Sequence, residues 1–442
     1  MDIGGVNPDS GAAVTIGELR TGAGPAVQPR SLRSGVGWLG VATAVYLACQ
    51  YGMLIAIAKL GSATMVGQFA LAQAITAPIM IFSQMQLRQV QVTDVRRDAT
   101  FHDYLWTRGL TTLAALVVIA VYALGIADAT VMGPIILMVG IAKAAESLSD
   151  VAYGRLQQDE RMELIAFAMI AKGLSSLAVL ALVLWLTGDL RWAVAALALV
   201  WLVLLGGVDL PLQRRVPTPR GAAAPDRRRI LGLLRTALPL AVAAGLISLS
   251  ANLPRYFLDG LYGSEAVALF AVAAMPLVLL GLVGTALGQA TLPRAAALLQ
   301  SGNLAGFRRI AVRITALQIG AGAAAAIASA LFGAPLIGFF FTPEYVPAAP
   351  AMTAMAAGVA IGGLGAYGAT VLSAGRHFRL QLWNVVIMLA MQVGLCYFLI
   401  GRLGVMGAAW AEVVRYVGST AFLTLAAHFV IRSRYRAAPR RA

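Results

Sequence analysis

Apolar runs of about 20 residues recur along the whole chain, and no other feature constrains the fold as strongly. A helix of that length rises about 30 Å, enough to cross the hydrocarbon layer of a bilayer. Lipid offers no water to a bare backbone, so each run must bond its own amides and carbonyls, and a helix is the expected form. Composition points to the same solvent: 60% of residues are apolar and 12% charged, where an ordinary soluble domain carries about 25% charged residues. The mean hydropathy is +0.80. The expected fold is all-α and membrane-embedded, with about twelve transmembrane helices near 35–58, 63–87, 109–127, 131–153, 164–187, 190–209, 237–259, 264–290, 310–334, 347–374, 379–400 and 404–431. The spans at 63–87, 264–290, 347–374 and 404–431 exceed the hydrocarbon thickness and should tilt or project.

A formal charge of +15 would suggest nucleic acid in a soluble protein. Here the basic residues fall in alternate connections, and no nucleic-acid partner is expected. Arg20, Arg30 and Arg33 precede the first run. Arg88, Arg96, Arg97 and Arg108, then Arg155 and Arg161, occupy later connections on the same side. The richest connection holds Arg214, Arg215, Arg220, Arg227, Arg228, Arg229 and Arg235; Arg294, Arg308, Arg309, Arg313, Arg376 and Arg379 follow, and the end of the chain is basic again. Only Lys59, Arg191, Arg255 and Arg402 fall toward the other side. The positive-inside rule therefore places both tails in the cytoplasm. Trp38, Trp106, Trp185, Trp192 and Trp383 lie near span ends, where an amphipathic ring favours the interface. No signal peptide is expected, because the Gly/Ala/Ser/Pro-rich start has no compact apolar core.

These patterns divide the chain into a cytoplasmic tail (1–34), an N-lobe of six helices (35–209), a basic cytoplasmic connection (210–236), a C-lobe of six helices (237–431) and a basic cytoplasmic tail (432–442). A weak internal repeat fits the division: Leu32-Arg33-Ser34 matches Leu234-Arg235-Thr236, Gly61-Ser62 matches Gly263-Ser264, and Phe69-Ala70-Leu71-Ala72 matches Phe270-Ala271-Val272-Ala273. Such a repeat implies two pseudo-symmetric bundles with a site between them.

Chemistry is sparse. There is no P-loop pattern, and His102, His377, His428, Cys49 and Cys396 stand far apart, so neither a metal nor a cofactor is expected. Connections on the outer side are too short for a catalytic domain, and no enzyme activity is expected. Ionisable residues inside spans are costly and therefore mark candidate sites. Lys143, Glu146 and Asp150 share one helical face. Lys172 lies mid-span; Asn252, Arg255 and Asp259 flank Pro254, which should break its helix; Glu412 and Arg415 are three apart. Two readings stay open: local ion pairs that lock the bundle, or a cationic cavity lined by Lys143, Lys172, Arg255 and Arg415 that accepts an anionic head group. Glu146, Asp150, Asn252 and Glu412 are the polar or ion-coupling candidates. Gln73, Gln289, Gln318 and Gln392 could serve sugar hydroxyls or helix packing equally.

Four stretches carry a family resemblance: GQFALAQAITAPIMIFSQMQLRQVQVTD (67–94), ESLSDVAYGRLQQDERM (146–162), NLPRYFLDG (252–260) and GVMGAAWAEV (404–413). Together they resemble bacterial O-antigen and polysaccharide flippases of the multidrug/oligosaccharidyl-lipid/polysaccharide exporter superfamily, over residues 32–431. The resemblance implies an inner-membrane protein that flips a polyprenyl-pyrophosphate-linked oligosaccharide by alternating access, with the tail left in lipid. It also implies an ion gradient as driving force, with Glu146, Asp150 and Glu412 as acidic carriers. The implied partners are the lipid-linked oligosaccharide, membrane lipids and, behind these, other polysaccharide-assembly proteins. A drug exporter of the same superfamily is the nearest alternative, with an acidic rather than a basic cavity. A membrane glycan polymerase or transferase, or a scaffold, is more distant.

Overall fold

The computed structural model describes residues 32–94, 98–128, 130–215 and 225–437. The 1–34 tail (up to Ser31), residues 216–224 of the basic connection and residues 438–442 of the final tail lie outside the described residues. All regular structure among the described residues is helical. In chain order the helices are α1 (Leu32–Leu60), α2 (Ala63–Gln84), the short α3 (Leu87–Thr93), α4 (Phe101–Gly125), α5 (Met132–Gln158), α6 (Met162–Thr187) and α7 (Leu190–Leu204). A π-helical turn, Leu205–Asp209, joins α7 to α8 (Leu210–Gln213). The second half holds α9 (Arg227–Tyr262), α10 (Ser264–Ala273), α11 (Met275–Gln300), α12 (Leu304–Phe340), α13 (Ala349–Leu364), α14 (Ala366–Ala374), α15 (Phe378–Leu395) and α16 (Gly401–Ala437).

Nine helical stretches among the described residues are long and apolar enough to cross a membrane, or ten when the bent pair α10–α11 counts as one span. Two further crossings escape a composition test for physical reasons. The stretch Phe378–Arg432 reverses at Gly404, whose backbone (φ 54°, ψ −131°) suits glycine alone. Beyond that turn α16 runs back along α15, with Asn384 bonded to Ser419 and Gln392 to Glu412. Helix α5 is 27 residues long but carries Lys143, Glu146 and Asp150, so charge disguises it. These twelve spans form two bundles. Several elements overrun the expected spans: α12 covers 37 residues where 310–334 was expected, and α9 covers 36. Pro254 does not break α9, contrary to the sequence expectation; the helix continues through Pro239 and Pro254. One turn earlier Asn252 Nδ2 donates to the Ser248 carbonyl at 2.9 Å. The five expected interfacial tryptophans are all exposed.

The matched segments of the internal repeat meet in space. Phe69–Ala72 on α2 and Phe270–Ala273 on α10 are all buried in the same core. A Cβ on Gly67 would overlap the Ser264 carbonyl oxygen, so the backbones of α2 and α10 touch there, and only glycine permits it. Nearby, Lys59 Nζ donates to the Phe339 carbonyl at 3.1 Å and Thr64 Oγ1 lies 3.4 Å from Glu265. Tyr256 of α9 donates to the Ala74 carbonyl at 2.6 Å. At the opposite, arginine-rich end, Arg229 of α9 pairs with the fully buried Asp103 of α4 at 2.8 Å. The two bundles are thus joined mainly through α2, α9 and α10. Substituting Gly67→Val should force α2 off α10 and cost at least about 2 kcal/mol; a fall of several degrees in the melting temperature of the purified protein checks this.

Candidate functional site: a cavity between the two bundles

Where α1, α2 and α5 face α9, α10 and α11, the bundles enclose a cavity of about 330 Å³. Its polar lining comes from Tyr46, Gln50, Tyr51, Gln73, Lys143, Glu146, Asn252 and Arg255. Helix α5 supplies Lys143 and Glu146 one turn apart, joined at 2.8 Å. The other carboxylate oxygen of Glu146 accepts from Tyr46 at 2.6 Å. Both open readings of this pair therefore describe one object: an ion pair that also faces the cavity. Across from it, Arg255 donates to Asn252 Oδ1 at 2.8 Å and lies over the Phe270 ring at 5.4 Å. Among the described residues no carboxylate forms an ion pair with Arg255. Among the described residues, Gln50 Nε2 and Tyr51 OH in the same wall are buried without a close hydrogen-bond partner. Such groups are costly unless something else satisfies them.

The other expected site residues lie elsewhere. Lys172 is 2% exposed and sits behind the cavity wall. It pairs with Asp209 at 2.8 Å and bonds Ser149 at 2.7 Å, and Tyr153 also donates to Asp209. The π-helical turn after α7 delivers Asp209 to this position, as such turns often do at specialised sites. The Trp201 ring lies between the two lysines, 5.3 Å from Lys143 Nζ and 5.7 Å from Lys172 Nζ. Arg415 pairs with Glu412 at 2.6 Å and stacks over Tyr416. Glu412 also accepts from Gln392, which in turn accepts from Ser250. Neither Arg415 nor Glu412 lines the cavity. Asp150 does not share the environment of Glu146: Arg88 of α3 and Arg108 of α4 hold its two oxygens at 3.1 and 3.0 Å. Of the four expected cations, the fold brings Lys143 and Arg255 to one space and ties Lys172 and Arg415 to buried acids. Of the four glutamines, Gln73 lines the cavity, Gln318 lines a smaller pocket within the second bundle, Gln392 is an internal strut, and the side chain of Gln289 lies outside the described residues.

Sequence reasoning missed Tyr46, Gln50 and Tyr51. The available signal was a polar pair, Gln50-Tyr51, interrupting the first apolar run one turn after Tyr46.

An inward-facing multidrug resistance MATE family transporter of the MOP superfamily is similar in fold, with a TM-score of 0.73 at 14% identity over 91% of this chain and 99% of that one. The lipid II flippase MurJ, in an inward closed conformation, gives a TM-score of 0.67 at 10% identity over 89% and 87% of the two chains. Residues 32–299 match the family described as polysaccharide biosynthesis protein. The capsular polysaccharide biosynthesis protein CapF of Staphylococcus aureus is 26% identical over 309 residues, 70% of this chain and 77% of the relative. Two six-helix bundles around a polar cavity are thus the fold this multi-pass membrane protein shares with those transporters. By its sequence the chain belongs to the polysaccharide biosynthesis protein family.

The Asp150 cluster yields a stability prediction. Asp150→Asn would leave the fully buried Arg108 with only the Gln84 carbonyl as a strong partner. A loss of about 3–5 kcal/mol follows, measurable as reduced thermal stability in detergent.

Proposed function

We propose that this protein flips a polyprenyl-pyrophosphate-linked oligosaccharide across the bacterial inner membrane by alternating access, supplying surface polysaccharide or O-antigen biosynthesis. The observation that carries the reading is Arg255, a guanidinium in the intramembrane cavity with no carboxylate ion-paired to it among the described residues. Lys143 and Glu146 offset one another, so Arg255 leaves the cavity one net positive charge. A guanidinium suits phosphate oxygens through its paired N–H donors. The unpartnered Gln50 and Tyr51 donors beside it suit further phosphate or sugar oxygens.

A second feature supports a lipid-linked cargo. An apolar crevice of about 520 Å³ lies between α1 and the α11–α13 group, lined by Ile55, Leu279, Ala328 and Phe340, and it shares Tyr51 and Met275 with the polar cavity. A head group held at Arg255 could keep its isoprenoid tail in that crevice, so neither part enters the wrong solvent. The two relatives whose names mention polysaccharide or lipid II agree with this direction. A cation exporter would need an acidic lining, yet the cavity's one carboxylate is already held by Lys143 and Tyr46.

Glu146 is our candidate for ion coupling. Its protonation would weaken the bond to Lys143 and free that ammonium for the cargo. Asp150, clamped by two arginines, and Glu412, clamped by Arg415 and Gln392, are tied to structural roles in this arrangement. The arginine-rich end faces the cytoplasm in this reading.

Cells depending on this protein for surface glycan provide the test. Arg255→Gln should cut export about tenfold or more, from the loss of charge-assisted bonds, and Lys143→Gln combined with it should abolish export while the protein stays inserted. Unchanged surface glycan in the double variant would remove both residues from transport.

A further inference from the structure

A second apolar groove, of about 490 Å³, opens where α9 of the second bundle crosses α2 and α4 of the first, lined by Phe82, Met85, Ala114, Val118, Val242 and Leu249. Its walls belong to both bundles, and they nearly touch on its floor: a Cβ on Gly245 would lie 3.2 Å from Phe82 Cβ. The groove shares no lining residue with the polar cavity. Seven residues return an α-helix almost to the same face, and each such step rises about 10.5 Å. Stepping back by sevens along α9 from Leu249 passes through Val242 to Arg235 and then Arg228. Both arginines are exposed, in contrast to Arg229 between them, which pairs with Asp103. Helix α9, at about 54 Å, is far longer than the roughly 30 Å hydrocarbon layer. Arg235 and Arg228 therefore project beyond the apolar groove on the groove's own face, at head-group height.

We infer that this groove is a binding site for an anionic phospholipid, one acyl chain lying between α2, α4 and α9 and the phosphate held by Arg235 and Arg228. The charge complementarity selects the occupant: an acyl chain alone needs only the groove, whereas two exposed guanidinium groups on the same face favour a net-negative head group over a zwitterionic one. Because the chain touches both bundles, the lipid braces them in the arrangement seen here. The inference stands independently of what the central cavity carries.

The test is native mass spectrometry and thermal unfolding of the full chain, with dioleoyl-phosphatidylglycerol or dioleoyl-phosphatidylcholine as probe. The unsubstituted protein should retain phosphatidylglycerol over phosphatidylcholine by about tenfold or more, and phosphatidylglycerol should raise its melting temperature. Arg228→Gln with Arg235→Gln should erase the preference without changing the lipid-free melting temperature, since both side chains are exposed. Ala114→Phe, placed in the groove, should lower retention of either lipid. Equal retention of the two lipids, or a preference that survives loss of both arginines, overturns the proposal. So does displacement of phosphatidylglycerol by a polyprenyl phosphate, which would make the groove a seat for the isoprenoid tail.

Discussion

An ion in hydrocarbon must be paired, neutralised or given water, and the interior of this protein is organised by that requirement. Lys172 is neutralised by Asp209, Arg415 by Glu412, Arg108 by Asp150 and Lys143 by Glu146. Lys172–Asp209 and Arg108–Asp150 tie separate helices together, while Lys143–Glu146 and Arg415–Glu412 lie within one helix and reach a neighbour through Tyr46 and Gln392. Helices in lipid gain little from apolar burial against one another, because lipid tails are equally apolar. Polar struts and close small-residue contacts then set the geometry. Arg255 departs from this pattern, with an amide and an aromatic face for partners. That departure supports the proposed role of Arg255 in recognising cargo.

The joint between the bundles follows from a different economy of contact. The two halves meet through equivalent segments, the starts of α2 and α10, with backbone on backbone at Gly67 and Ser264. Tyr256, Thr64 and Lys59 add polar contacts around that joint. The joint also runs through the buried apolar core, where Phe69–Ala72 packs with Phe270–Ala273. The two bundles, joined through α2, α9 and α10, leave the polar cavity between them.

Much of this fold was legible in the sequence, because lipid imposes long apolar runs and leaves few alternatives to a helix. The span count and the repeat of Phe69–Ala72 at Phe270–Ala273 could be read directly. The partners of the charges could not. Spacing within one helix revealed Lys143–Glu146 and Glu412–Arg415, since three-residue neighbours share a face. It could not show that Arg88 and Arg108, written as loop cations, sit on helices and claim Asp150, or that the π-helical turn at Leu205–Asp209 turns an acid toward Lys172. Those links cross between helices far apart in the chain, where no local pattern carries information. For the same reason four candidate cations resolved into two around the cavity. Gln50 and Tyr51 looked like incidental polar breaks until the facing helix was in place.

The central claim is that a sheltered positive charge recognises the head group of a lipid-linked cargo. Equilibrium binding of a polyprenyl pyrophosphate and of the matching uncharged polyprenol to the purified protein tests it most directly. The account predicts a preference of about tenfold or more for the pyrophosphate, resting on Arg255. Equal affinity for the two lipids would contradict it, since binding would then follow the tail alone.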